Sequence, residues 1–351
     1  MTSISNVPLP LNTDHLQNLV LLFLVVALVG CPFLFAHGQA TRAQDTVVTE
    51  KFPVHTGRMP VRSPMPLSSS LEPPIGPTSL NRIPSPISRP ERNWSRLALA
   101  SGFLSAYYTT QYVIERRKWW SHQTVGFHFD STPSYARGMD KIAHFYGAEV
   151  QAMTNARLLE WSGLSHSNAA LWGALLSFAG QTNVEIHDGF SPRWGFDVYD
   201  QLANGVGVAW FYAHDHVPAL RRFDVRLSYW HPNAPPFNKS KDITPFTNDY
   251  SGHVYWVSMR VWDLLPDPLQ RYWPRFLQLS VGVSLNDWER HPDDDAYLST
   301  HLSVDIDWRE IIPRSSLLGR TAGDVLNRYH LPAPAIQLTP RPGISLLFLG
   351  Q

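Results

Sequence analysis

The chain has 351 residues, of which 44% are hydrophobic, and its 29 basic side chains balance 29 acidic ones. This balance excludes an overall basic field that would hold nucleic acid. The 13 Trp, 13 Tyr and 17 Phe need a buried core, which excludes a mainly disordered chain. The single cysteine, Cys31, excludes an intramolecular disulfide and a cysteine zinc cluster, while the length suits one large domain or two modest ones.

Residues 1–40 contain an apolar run that predicts a signal peptide or a membrane anchor. No Asp, Glu, Lys or Arg lies between His15 and Thr41, and the run is near the length of a signal-peptide core and of a short membrane span. The tetrapeptide ending in Cys31 is similar to a bacterial lipobox, which makes Cys31 a candidate for acylation. A cleaved signal, a lipid anchor and an uncleaved anchor all place the rest of the chain outside the cytoplasm or at a membrane face. We expect a membrane-attached protein on the periplasmic side of a bacterial cell envelope.

The composition of residues 41–92 predicts a disordered linker. Ten of the 29 prolines lie between positions 53 and 90, mixed with serine and glycine. Such a composition sustains neither a helix nor a strand ladder, and it is typical of an extended tether.

Residues 93–220 predict a bundle of three to four apolar helices, because their apolar side chains recur with helical spacing. The first helix begins at a cap on Ser95 and ends near Arg117. A later helix runs from about residue 168 to 186, and the last begins near Phe196.

Seven polar side chains stand out in these helices, because six of them lie on the polar stripe of an otherwise apolar helix and Lys141 lies one step round from that of Asp140 and His144. They are Asp140, Lys141, His144, Glu185, Asp197, Asp200 and Asn204. Burying such groups separately would cost several kcal/mol, so we expect them to meet in three dimensions. The glycines that follow Asn204, Gly205 and Gly207, allow a neighbouring helix to approach closely.

Residues 221–351 predict a small antiparallel sheet, which gives the chain an α+β fold. After Pro218 the period of the apolar residues changes from 3.6 to 2, most clearly from Leu277 to Leu285. Strict alternation predicts half-buried strands with one polar face. The sheet packs on the helices or lies against a membrane.

Two interpretations of the seven side chains remain. In the first, Asp140, His144 and Glu185 bind a divalent metal, zinc or manganese, in a hydrolase that acts on a phosphate or ester at the membrane face. In the second, which we favour, the side chains pair with one another, hold the helices together and need no cofactor. Additional candidates near the helix ends are His128, His187 and Asp188. The sequence has no phosphate-binding glycine loop, which excludes nucleotide chemistry. It also has no nucleophile elbow.

The order and spacing of these residues resemble the YfiM-like family of predicted periplasmic lipoproteins, a domain of unknown function whose helical part is distantly similar to VanZ-like membrane proteins. The resemblance is carried by Asp140-Lys141-x-x-His144-Phe145, by Glu185 and by Phe196-Asp197-x-x-Asp200-x-x-x-Asn204-x-x-Gly207. It implies an envelope location and an architecture, without a catalytic role. We therefore expect membrane lipid, a cell-wall precursor or another envelope component as the partner, and whether the protein is an enzyme stays open.

Overall fold

The computed structural model describes residues 93–120, 124–230, 246–288 and 296–348. Residues 1–40, with Cys31, and residues 41–92 lie outside this description. The signal or anchor, the acylation of Cys31 and the disordered linker therefore stay predictions.

Four long helices form the first part of the described chain, which confirms the predicted bundle. They are α1 (Trp94–Lys118), α2 (Met139–Trp161), α3 (His166–Asp188) and α4 (Val198–His216). The predicted cap on Ser95 is wrong, because Asn93 is the extended residue before α1 and its Oδ1 accepts a hydrogen bond from the Arg96 N–H at 3.0 Å. Two shorter helices follow, α5 (Asp267–Gln270) and α6 (Leu317–Leu326). In the described ranges, no helix has the length and apolar character needed to cross a membrane.

Helix α2 lies at the centre of the bundle, and 13 of its 23 residues are buried. Two glycines bring its neighbours close. A Cβ on Gly173 of α3 would lie 2.7 Å from the carbonyl oxygen of Ala152, and a Cβ on Gly207 of α4 would overlap the carbonyl oxygen of Phe145. Helices α3 and α4 therefore contact α2 backbone to backbone, which fixes their positions along it.

The second part is a six-stranded antiparallel sheet in which every strand pairs with the next in the chain. The strands are β1 (Phe223–Tyr229), β2 (His253–Met259), β3 (Leu277–Asn286), β4 (Tyr297–Ile306), β5 (Ala333–Thr339) and β6 (Gly343–Phe348). Met139 and Tyr146 of α2 pack on one end of this sheet, against Leu227, Tyr255 and Leu285. The described helices and strands belong to one compact unit.

The alternation along the strands has the predicted period, but the polar face of the sheet is the buried one. Arg226 is fully buried and donates to Asp305 Oδ1 at 2.9 Å. His330, which follows α6, lies 2.8 Å from Asp305 Oδ2 and stacks on Trp256 at 4.0 Å between ring centroids. Alternation alone favours burial of the apolar face. Here Arg226 and His330 pair with Asp305, and these contacts offset part of the cost of burying the polar face.

Candidate functional site

The seven polar side chains predicted from the sequence lie together at the junction of α2, α3 and α4, and we call them the helix-junction cluster. Lys141 is at its centre. The Lys141 ammonium lies 2.9 Å from Asp140 Oδ2, 2.7 Å from Asp197 Oδ2 and 2.8 Å from Asp200 Oδ1. Since all four side chains are at most 15% exposed, the lysine holds the position that a bound cation would take among three carboxylates.

His144 lies beside this group and contacts it through both ring nitrogens. Its Nε2 is 3.8 Å from Asp140 Oδ1 and 3.7 Å from Asp200 Oδ1. Its Nδ1 is 3.3 Å from Asn204 Oδ1 and 3.6 Å from Glu185 Oε1. The imidazole therefore bridges two carboxylates on one side and a carboxylate with an amide on the other.

The local backbone explains why these residues meet. Asp197 is the N-cap of α4, with its Oδ1 accepting the Tyr199 N–H at 2.7 Å, so it precedes the helix instead of lying on its stripe. The Asp197 N–H donates to Glu185 Oε2 at 3.3 Å and so joins the end of α3 to the start of α4. Asp200 and Asn204 then follow on the first turns of α4, four positions apart, and face α2.

One member of the site was missed by the sequence analysis. The Tyr250 hydroxyl donates to Asp140 Oδ1 at 2.5 Å. Tyr250 lies in a short turn before β2, in the other half of the chain. No periodic pattern marks this tyrosine, because it stands in a single 3-10 turn. The hydrogen bond connects the cluster to the sheet.

The electrostatics of the cluster divide its acids into two kinds. Burial would raise the pKa of Asp140, but His144, Lys141 and the Tyr250 hydroxyl outweigh burial and lower it. Burial dominates at the other two shifted acids, and raises the pKa of Asp200 to about 7 and that of Glu185 to about 8. Asp140 is therefore ionised at neutral pH, whereas Glu185 retains its proton.

The two basic groups respond to these carboxylates. Burial would lower the pKa of His144, but Asp140, Asp200 and Glu185 together raise it above its ordinary value. The pKa of Lys141 is raised in the same way, because Asp140 and its neighbours outweigh burial. Lys141 is therefore charged at neutral pH, and the upward shift of the His144 pKa likewise favours internal ion pairing.

Three members of the cluster have the spacing of metal ligands. One atom each from Asp140, His144 and Asp200 lie within 4.8 Å of one another. Oxygen and imidazole nitrogen suit zinc or manganese. However, Asp200 Oδ1 already contacts the Lys141 ammonium and Asp140 Oδ1 accepts the Tyr250 hydroxyl. Glu185, expected as the third ligand, lies on the other ring nitrogen of His144.

The additional candidates lie outside the cluster. Asp188 accepts the indole N–H of Trp120 at 2.7 Å, and burial raises its pKa to about 6. His187 stacks on the same Trp120 at 4.5 Å, with its Nδ1 2.7 Å from the Asn183 carbonyl oxygen. The Nδ1 of His128 is 3.3 Å from the Gly126 carbonyl oxygen. The contacts of Trp120 with Asp188 and His187 fasten the end of α1 to the end of α3.

The outer face of α3 and α4 is apolar. The exposed positions of these two helices include no Asp, Glu, Lys or Arg. Large apolar side chains at helical spacing are exposed along both helices: Leu171, Trp172, Leu175, Phe178 and Ile186 on α3, and Val198, Leu202, Val206 and Tyr212 on α4. We call this surface the helix face. Contiguous exposed apolar surfaces are typical of interaction sites.

The family comparison agrees with the expected location. Residues 126–214, about a quarter of the chain, match the sequence profile of a family described as predicted periplasmic lipoprotein (DUF2279). This segment contains the whole helix-junction cluster apart from Tyr250, and the family is consistent with the periplasmic side of the envelope. The similarity to VanZ-like proteins stays a prediction. No curated protein and no solved structure matches the chain.

Proposed function

We propose that this is a non-catalytic, membrane-attached protein of the periplasmic side of the envelope, which rests its helix face on lipid. The observation that carries the proposal is the absence of Asp, Glu, Lys and Arg from the exposed positions of α3 and α4, where the exposed cation His166 stands at the very start of α3 and pairs with Asp215. Burying about half of a large apolar side chain contributes about 1 kcal/mol. The nine large side chains of the helix face would thus contribute about 9 kcal/mol before the costs of binding are subtracted.

The surroundings of the helix face suit a lipid surface. Helix α1 ends in Arg116, Arg117 and Lys118, and the stack of Trp120 on His187 brings this end beside the end of α3. Exposed phenylalanines lie at the same end of the bundle, where Phe127 packs edge-on against Phe190 at 5.2 Å. Cations and aromatic rings are the side chains that occur at the headgroup level of a bilayer.

The helix-junction cluster supports this function by fixing the geometry of the face. Lys141 on α2 pairs with Asp197 and Asp200 at the start of α4, and Asp197 in turn is bonded to Glu185 of α3. The two helices of the face are therefore held in one arrangement before lipid is bound, which lowers the ordering cost of binding.

The proposal is tested by placing a polarity-sensitive fluorophore on the helix face. Cys31 is the only cysteine, so Cys31→Ser combined with Leu202→Cys gives one labelling position, at a side chain that is 59% exposed. A nitrobenzoxadiazole label there should shift its emission to shorter wavelength when phosphatidylglycerol vesicles are added, and doxyl-labelled lipid should quench it. The matched control is Ser315→Cys in the same background, at an exposed polar position. A label at position 202 that stays in water would refute the proposal.

A second candidate function is the metal-dependent hydrolase, and the spacing of Asp140, His144 and Asp200 favours it. A metal would polarise a phosphate or ester oxygen, and these three side chains would hold it. In that case the purified protein contains a stoichiometric ion, and His144→Ala removes the ion with little change in melting temperature. If the parent carries no metal and the variant melts lower, the hydrolase hypothesis is wrong.

A further inference from the structure

A second uncharged surface lies on the sheet, far along the chain from the helix face. The strand registers bring six apolar residues into one row that crosses every strand: Val225, Val257, Val281, Leu302, Ile336 and Ile344. Five of the six are exposed, from 37% at Leu302 to 81% at Ile344. We call this row and the side chains beside it the sheet face.

The charges of the sheet lie on its opposite side. The six strands contain only three Asp, Glu, Lys or Arg residues, namely Asp224, Arg226 and Asp305, and all three are buried on the polar face. Arg226 bonds Asp305, and Asp224 accepts from Arg309. An arrangement with the apolar row buried would break this buried ion-pair network, which is strongly destabilising. The apolar row is therefore held outward.

The end of the sheet face carries paired arginines and aromatic rings. In the turn from β2 to β3, the Arg275 guanidinium lies 4.3 Å from the ring centroid of Trp262, and that of Arg271 lies 4.6 Å from that of Tyr272. Tyr272 is 71% exposed. An arginine stacked on an aromatic ring beside an uncharged face matches the phosphate and glycerol level of a bilayer in both charge and polarity.

We propose that the sheet face is a second lipid-binding surface, with its apolar row against acyl chains and with Arg271 and Arg275 against anionic headgroup phosphates. The choice of a bilayer as partner rests on the proposed function, but the surface includes no residue of α3 or α4. Arg275 also pairs with Glu310, its Nε lying 3.7 Å from Oε2. A second copy of the chain would cover the apolar row and leave the exposed Arg271–Tyr272 pair without a role. The bilayer accounts for both features.

The experiment places the same fluorophore on the sheet face of the full chain. Cys31→Ser with Val281→Cys puts the label at the middle of the row, where the side chain is 56% exposed. With phosphatidylglycerol vesicles we expect a shift to shorter wavelength and quenching by doxyl lipid. In this background, Arg271→Gln and Arg275→Gln should each weaken vesicle binding about fivefold, since one arginine at the surface is worth about 1 kcal/mol. The loss should disappear with phosphatidylcholine vesicles.

The other outcomes overturn the inference in distinguishable ways. A label at position 281 that stays in water, while the label at position 202 shifts, refutes the sheet face and leaves the proposed function standing. The reverse result refutes the helix face instead. A shift at position 281 without vesicles, lost on dilution, identifies a second copy as the occupant. An equal shift at positions 281 and 315 means unspecific adsorption.

Discussion

Replacing Lys141 with methionine should destabilise the protein more than any other single change in the helix-junction cluster. Methionine keeps most of the length and apolar stem of the side chain, so packing changes little and the charge is what is lost. The ammonium contacts Asp140, Asp197 and Asp200 at 2.7–2.9 Å. Without it, three largely buried carboxylates face one another, and His144 is the other basic side chain of the cluster.

The magnitude follows from burial and from the pKa values. Removing one partner of a buried ion pair typically costs about 3–5 kcal/mol. Asp200, with a pKa of about 7 in the parent, can take up a proton and relieve part of the repulsion. We therefore expect Lys141→Met to lower the free energy of unfolding by about 3 kcal/mol at pH 8. The loss should be smaller at pH 6, where Asp200 is protonated more readily.

Urea unfolding followed by tryptophan fluorescence at both pH values measures this effect. The control is Lys118→Met at the end of α1, where burial is the only influence on the lysine pKa and no nearby carboxylate contributes. That change should cost less than about 1 kcal/mol, which is the value of a cation at a helix C-terminus. If the two variants lose the same free energy at both pH values, the ion-pair account of the cluster is wrong.

The remaining predictions concern packing and pH. Gly207→Ala should lower the free energy of unfolding by about 1–3 kcal/mol, because the new Cβ meets the Phe145 backbone. Gly205→Ala makes only an ordinary side-chain contact, so it should be neutral or stabilising by up to about 1 kcal/mol. Thermal melting compares the two variants. The parent should lose stability as the pH rises from 6.5 to 8, because the folded state holds protons on Glu185, Asp200, His144 and His166 that the unfolded state has released. Glu185→Gln should remove about 1–2 kcal/mol of this fall in urea titrations, and an unchanged slope would contradict the assigned protonation. The buried histidines whose pKa is lowered oppose the trend only below about pH 6.5.

The helical part could be predicted because its signal is local. A period of 3.6 places Asp140 and His144 on one face of any helix, whatever packs against it. The cost of burying polar groups separately then requires the stripes of three helices to meet. The exact starts were not predictable in this way, since Asn93 and Asp197 lie outside their helices and act through their side chains.

The polarity of the sheet could not be predicted, because alternation is symmetric. A period of 2 shows that the two faces differ, and the usual preference for burying the apolar face gives the wrong answer here. That choice depends on partners distant in sequence, such as Arg226 with Asp305, which are 79 positions apart, and His330 after α6. The role of Tyr250 could not be predicted for the same reason, because its contact with Asp140 spans 110 positions.

The charges of the helix-junction cluster favour pairing within the protein over a bound metal. If every acid were ionised, four carboxylates would face the two cations Lys141 and His144, and the cluster would carry two excess negative charges. A divalent ion would cancel them, but so do two protons, and the pKa of Glu185 at about 8 and of Asp200 at about 7 places those protons there near neutral pH. The ammonium of Lys141 already contacts the Asp200 oxygen that an ion would need. A metal would have to displace both the protons and the lysine, and this cost favours the internally paired arrangement, although Glu185 Oε1 and Asn204 Nδ2 are buried there without a hydrogen-bond partner.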